Sequence, residues 1–150
     1  MSTIIFEGCA FFLRHMQFPQ TIEYALRVMV QLSIMRSQGV VRSQDLVRST
    51  RVPPHFLSKI LRRLVRKKLL TSYKGAGGGF ILARPLNTIR LVDIMSALNY
   101  HIDEKHCIFG WPKCSSKAPC PLHDSVFDMK TTYRKWATSV TLEDIVKKHD

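Results

Sequence analysis

The stretch RVPPHFLSKILRRLVRKK, residues 51–68, decides the fold of this chain. Proline cannot continue a helix but opens one readily, so residues 51–54 form a turn and a helix runs from about Pro54 to Lys68. Phe56, Leu57, Ile60, Leu61, Leu64 and Val65 recur at three- and four-residue steps and form its apolar back. His55, Ser58, Lys59, Arg62, Arg63 and Arg66 form its front. An ordinary surface helix mixes acids with bases, and this front holds no acid. An apolar back with a front of Arg, Lys, Ser and His suits a helix laid in the major groove of double-stranded DNA.

Two helices precede it. Ile22, Ala25, Leu26, Met29, Leu32 and Met35 carry helical spacing from about Thr21 to Ser37, and Gly39 ends that run. Ser43 is a good N-cap for a short helix through Arg48, with Asp45 favourably placed in its first turn. Downstream, Leu69–Tyr73 and Gly79–Ala83 read as two short strands joined by the glycine-rich segment 74–78. The Lys-Ser/Thr that would close a phosphate-binding P-loop is missing, so the pair reads as a wing beside a recognition helix. The expected fold is mainly α: a winged helix-turn-helix with a small β-hairpin wing and a long C-terminal dimerisation helix. Candidate DNA contacts are Arg42, Ser43, Pro54, His55, Ser58, Lys59, Arg62, Arg63 and Arg66 on the helices. Lys74, Gly77, Gly78 and Arg84 complete the set on the wing, where they reach phosphates or a minor groove.

Charge points the same way. The net charge is +12, and residues 42–90 hold twelve Lys or Arg against one acid, Asp45. A positive field concentrated in one segment is the electrostatic footprint of nucleic-acid binding. With 150 residues the chain makes one domain, or one domain with an appendage. No stretch approaches the roughly 18 apolar residues of a membrane span, and no secretory signal pattern is present, so a cytoplasmic protein is expected. Residues 1–15 read as an N-terminal extension outside the core, and Cys9 within it is set aside. The expected divisions are then 16–100 for the DNA-binding domain, 101–123 for a cysteine loop, and 124–150 for a dimerisation helix and tail.

That loop carries Cys107, Cys114 and Cys120, spaced C-x6-C-x5-C, with Gly110, Pro112, Pro119 and Pro121 bending the chain between them. Three thiols so close in sequence can converge on one point and favour soft metals: zinc, copper(I) or an iron–sulfur cluster. Three is one short of the four ligands of a closed site. A disulfide, a thiol redox switch or idle thiols are the plainer readings. A nucleophilic-cysteine enzyme is disfavoured: His106 adjoins Cys107, but no oxyanion or substrate pocket is suggested. After the loop, a helix from about Asp124 to Thr138 carries Val126, Met129, Tyr133 and Trp136 at helical spacing. A two-fold homodimer interface is the expected use of that stripe. Thr141-Leu-Glu-Asp144 resembles a capping box opening a last short helix.

Three helices, a glycine wing, a fourth helix over about Leu91–Leu98 and a cysteine loop therefore stand in order. That order resembles the Rrf-type winged-helix transcription regulators. Three stretches carry the resemblance: Tyr24-Ala-Leu-Arg-Val-Met29; Val52-Pro-Pro-His-Phe-Leu-Ser-Lys-Ile-Leu61; and Gly75-Ala-Gly-Gly-Gly-Phe-Ile-Leu-Ala-Arg-Pro85, leading to Ile89-Arg-Leu-Val-Asp-Ile94. It implies that Cys107, Cys114 and Cys120 hold an iron–sulfur cluster, 2Fe–2S or 4Fe–4S, with zinc the lesser alternative. It also implies two candidates for the fourth ligand. One is a carboxylate near the start of the first helix, reaching in from the partner subunit, at the position of Glu23. The other is a histidine three residues after the last cysteine, His123. The resemblance further implies a repressor of an operator, not an enzyme, whose signal is nitric oxide, another redox-active small molecule, or iron–sulfur status.

Overall fold

A computed structural model describes residues 18–101, 107, 109–111 and 114–147. The readings of residues 1–15 and of parts of the cysteine loop fall outside the described residues. Six α-helices and one hairpin are described: α1 Gln20–Ile34, α2 Ser43–Thr50, α3 Pro54–Arg66, β1 Leu70–Tyr73, β2 Gly79–Leu82, α4 Leu91–Ala97, α5 His123–Ser139 and α6 Leu142–Lys147.

α1 is the hub. Its buried residues Ile22, Ala25, Val28, Met29 and Leu32 meet α2, α3, α4, α6 and β2. Its one buried polar side chain is satisfied within the helix, since the Ser33 hydroxyl donates to the Met29 carbonyl at 2.7 Å. The helix is shorter than its pattern predicts. Met35–Gln38 tighten into a 3₁₀ turn, and Gly39 ends it with φ +81°.

α2 and α3 form the helix-turn-helix. Arg51 takes the left-handed conformation (φ 57°), Val52 is fully buried under the turn, and Pro54 opens α3. The Thr50 hydroxyl helps to close the turn, donating to Leu46 at 2.6 Å and accepting from the Val52 N–H at 3.3 Å. Leu57, Ile60, Leu61 and Leu64 are buried beneath α3, each worth roughly 1.5–3 kcal/mol of apolar transfer. One expectation needs correction: Ser43 does not cap α2. Arg42 occupies the cap position, and its carbonyl accepts from the Asp45 and Leu46 N–H groups at 3.1 and 3.2 Å. The helix starts a residue early because Val41 pairs with Phe80, which keeps the chain extended right up to Arg42.

The wing is an antiparallel pair, Leu70 opposite Leu82 and Tyr73 opposite Gly79. Val41 joins it as a third edge through two backbone hydrogen bonds with Phe80, at 3.0 and 2.8 Å. After α5 the chain returns to the DNA-binding half. The Leu91 N–H donates to Val140 at 2.9 Å and the Leu142 N–H to Ile89 at 2.8 Å. α6 then packs on α1, opened by the expected capping box. Asp144 accepts from the Thr141 N–H at 2.9 Å, while the Asp144 N–H donates back to the Thr141 hydroxyl at 3.2 Å.

Candidate nucleic-acid interface and cysteine loop

α3 carries its expected front outward. His55, Ser58, Lys59, Arg62, Arg63 and Arg66 are all exposed, as are Arg42, Ser43 and Pro54 at the openings of α2 and α3. With Lys74, Gly77 and Arg84 also exposed on the wing, the helix and the hairpin present cations on their outer surfaces. Two of the front groups have internal partners. The Ser58 hydroxyl turns back to the Pro54 and His55 carbonyls at 3.1 and 3.3 Å. Arg63 Nη1 donates to the Leu98 carbonyl at 3.3 Å. At the base of the wing, Arg84 lies 3.8 Å from Asp93, whose carboxylate also accepts from the Arg90 N–H at 3.0 Å.

The wing glycines have steric duties. A Cβ on Gly78 would meet the Tyr73 carbonyl and lie 2.9 Å from the Gly75 carbonyl oxygen. Gly79 is pressed against Val41 in the same way. Gly77 instead supplies a positive φ of 81° in open space. The Val41–Phe80 pairing that demands Gly79 is a single bridge, too short to leave a strand pattern in the sequence.

In the cysteine loop all three described thiols are free. Cys107 is buried, at 2% exposure, while Cys114 and Cys120 are half-buried. Cys114 Sγ lies 3.2 Å from His123 Nδ1. The His123 N–H donates to the Cys120 carbonyl at 3.0 Å, which places this histidine at the first turn of α5. The structure thus brings one thiol and one imidazole together. Among the described residues no three His, Cys, Asp or Glu side chains are grouped closely enough to hold a metal. Within the loop the Gly110 N–H donates to the Cys107 carbonyl at 2.9 Å. The donor chemistry nevertheless fits a soft metal or an iron–sulfur cluster: thiols with an imidazole, one thiol shielded from water. Glu23 lies elsewhere, half-exposed in the first turn of α1, with Arg27 4.0 Å away.

α5 leaves much of its apolar stripe uncovered. Met129 and Trp136 are 59% and 43% exposed, Leu122 just before the helix is also exposed, and Phe127 on the opposite face of the helix is 53% exposed. Only Ala137 of this helix is buried. The Tyr133 hydroxyl is pushed up to about 12 by burial and by Tyr100 beside it. No helix among the described residues is long and apolar enough to cross a membrane.

Known proteins share this arrangement. A helix-turn-helix-type regulator assigned in Neisseria meningitidis serogroup A is 28% identical over 124 residues, 83% of each chain. The helix-turn-helix-type transcriptional regulator IscR of Xenorhabdus nematophila is 25% identical over 127 residues, 85% of this chain and 77% of its own. The solved structure of CymR, the global cysteine regulator of B. subtilis, superposes with a TM-score of 0.76 at 19% identity, over 90% of this chain and 99% of that one. The family model Rrf2, described as iron-dependent transcriptional regulator, matches residues 18–148. A winged helix-turn-helix with an outward cationic front, matched over nearly its whole described length, is a DNA-binding transcription regulator and not an enzyme: the chain belongs to the Rrf2 family.

Proposed function

We propose that the chain is a cytoplasmic, homodimeric repressor that binds a double-stranded DNA operator and adjusts that binding to nitric oxide, redox state or iron–sulfur supply. The observation that carries this reading is the position of the cysteine loop. It leaves the C-terminal end of α4, which packs on α3, and enters α5 at His123. Cys107, Cys114 and Cys120 would hold a 2Fe–2S or 4Fe–4S cluster. His123, already beside Cys114, or Glu23 of the partner subunit would complete the set. When bound, such a cluster supplies iron open to attack by nitric oxide or oxygen, because an oxygen or nitrogen ligand holds one iron less tightly than thiolate.

The remaining work belongs to the chain. Leu122, Met129 and Trp136 offer a second copy an apolar surface across a two-fold axis. The two copies of α3 then address half-sites about 34 Å apart. A small rotation of α5 against α4 misplaces one α3 and weakens operator binding. Lys59, Arg62 and Arg66 bind by neutralising phosphates or reading guanine edges, so affinity falls steeply with salt.

The test is a nitric-oxide titration of anaerobically purified protein, following its visible spectrum and its retention of promoter DNA together. Bleaching and DNA release in step are expected. The Cys114–His123 pair also suits a second reading, in which the loop holds zinc or acts as a thiol redox switch. Colourless protein with stoichiometric zinc would establish that reading instead.

A further inference from the structure

Arg63 stands in the row of exposed cations on α3, yet its guanidinium is engaged behind that row. It donates to the Leu98 carbonyl, 35 positions along the chain. Leu98 closes the C-terminal end of α4 and is itself buried at 7% exposure. The last carbonyls of a helix lack partners within it and carry partial negative charge, so a cation that donates to one is favoured there. By contrast, Arg62 makes no hydrogen bond or ion pair among the described residues.

The end of α4 is a junction. Asn99 turns through the left-handed region (φ 60°), and the Tyr100 N–H bonds back to Met95 at 3.0 Å. The Tyr100 side chain stands beside Tyr133 on α5, close enough to push its ionisation to higher pH. At His101 the chain leaves this turn for the cysteine loop. Residues 98–101 are therefore held to the recognition helix through Arg63, with Tyr133 of α5 alongside Tyr100. The other end of α4 meets the wing, through Arg84 and Asp93.

We propose that Arg63 is a positioning residue that seats the recognition helix on the root of the cysteine loop and does not contact DNA. Any displacement of the last turn of α4 then reaches α3 through this guanidinium as well as through the packing of the two helices. This holds whatever the cysteines bind. The neighbouring Arg62 faces outward and provides the internal contrast.

The test uses the full chain, a mixed-sequence DNA duplex three helical turns long, and native-state amide exchange. Arg63→Ala is expected to keep the parent's dependence of affinity on salt, while exchange at residues 98–101 quickens by about tenfold or more, as loss of one charged hydrogen bond allows. Arg62→Ala is expected to do the reverse, lowering the salt slope by about 1 with exchange unchanged. Arg63→Lys, which keeps a cation able to donate to the same carbonyl, is expected to retain slow exchange. A salt slope lowered by about 1 in Arg63→Ala would overturn the assignment. Unchanged exchange at residues 98–101 in that variant would overturn it equally.

Discussion

Gly79→Ala should damage the wing far more than Gly77→Ala, although the two positions lie two residues apart. Gly79 begins β2 directly against the extended segment at Val41. A Cβ there would lie 2.7 Å from the Val41 carbonyl carbon, closer still to its oxygen, and 3.0 Å from Val40 Cγ1. Backbone cannot swing aside as a side chain can. Relief requires parting Val41 from Phe80, which gives up two hydrogen bonds of 3.0 and 2.8 Å, each worth about 0.5–1.5 kcal/mol. Residual overpacking adds about 1–3 kcal/mol, for a total of about 2–6 kcal/mol. At Gly77 a Cβ meets nothing within 4 Å, so alanine there costs only its left-handed conformation, about 1–2 kcal/mol. Urea unfolding followed by circular dichroism measures both, as a shift in midpoint at constant slope. Parental stability in Gly79→Ala, or a larger loss in Gly77→Ala, would refute the reasoning.

Other outcomes follow from single contacts. Thr141→Ala removes the hydroxyl half of the box that opens α6 and should cost about 1 kcal/mol in the same unfolding assay. Met129→Glu, on a side chain 59% exposed, should leave the fold intact yet shift the mass measured by light scattering from dimer towards monomer. Ultraviolet titration should show one tyrosine ionising late, at about 12, and Tyr100→Phe should bring it down. Because the folded value is raised, the stabilisation from protonated Tyr133 is complete below the unfolded tyrosine value of about 10. It is lost as pH rises through about 12.

Elements with long or strongly signalled patterns are legible in the amino-acid sequence alone. The Pro54 opening and the apolar back of α3 mark the recognition helix, the glycines mark the hairpin, and Thr141 with Asp144 marks the start of α6. Features that depend on contacts between segments distant in the chain are not. Nothing around Val41 marks it as the wing's third edge, and that one bridge explains both the displaced cap at Ser43 and the need for Gly79. Arg63 has the same local pattern as Arg62, and only the arrival of Leu98 beneath it separates their roles. In the cysteine loop the donor types are legible, but their geometry is not. Turns without regular structure leave no periodicity to read, so the sequence offers His123 only as one of two ligand options and says nothing of its approach to Cys114. The stripe on α5 is visible as spacing, and the exposure of Met129 and Trp136 is what the fold adds.

The most direct measurement compares operator affinity for the same anaerobically purified protein before and after removal of any cluster, at fixed salt and on genomic fragments that the protein itself selects. The position of the cysteine loop between α4 and α5 predicts a large difference in affinity between the two forms. It also predicts that replacing Cys107, Cys114 or Cys120 abolishes that difference without unfolding the helix-turn-helix. Equal binding of the same operators by cluster-bound and cluster-free protein would contradict it.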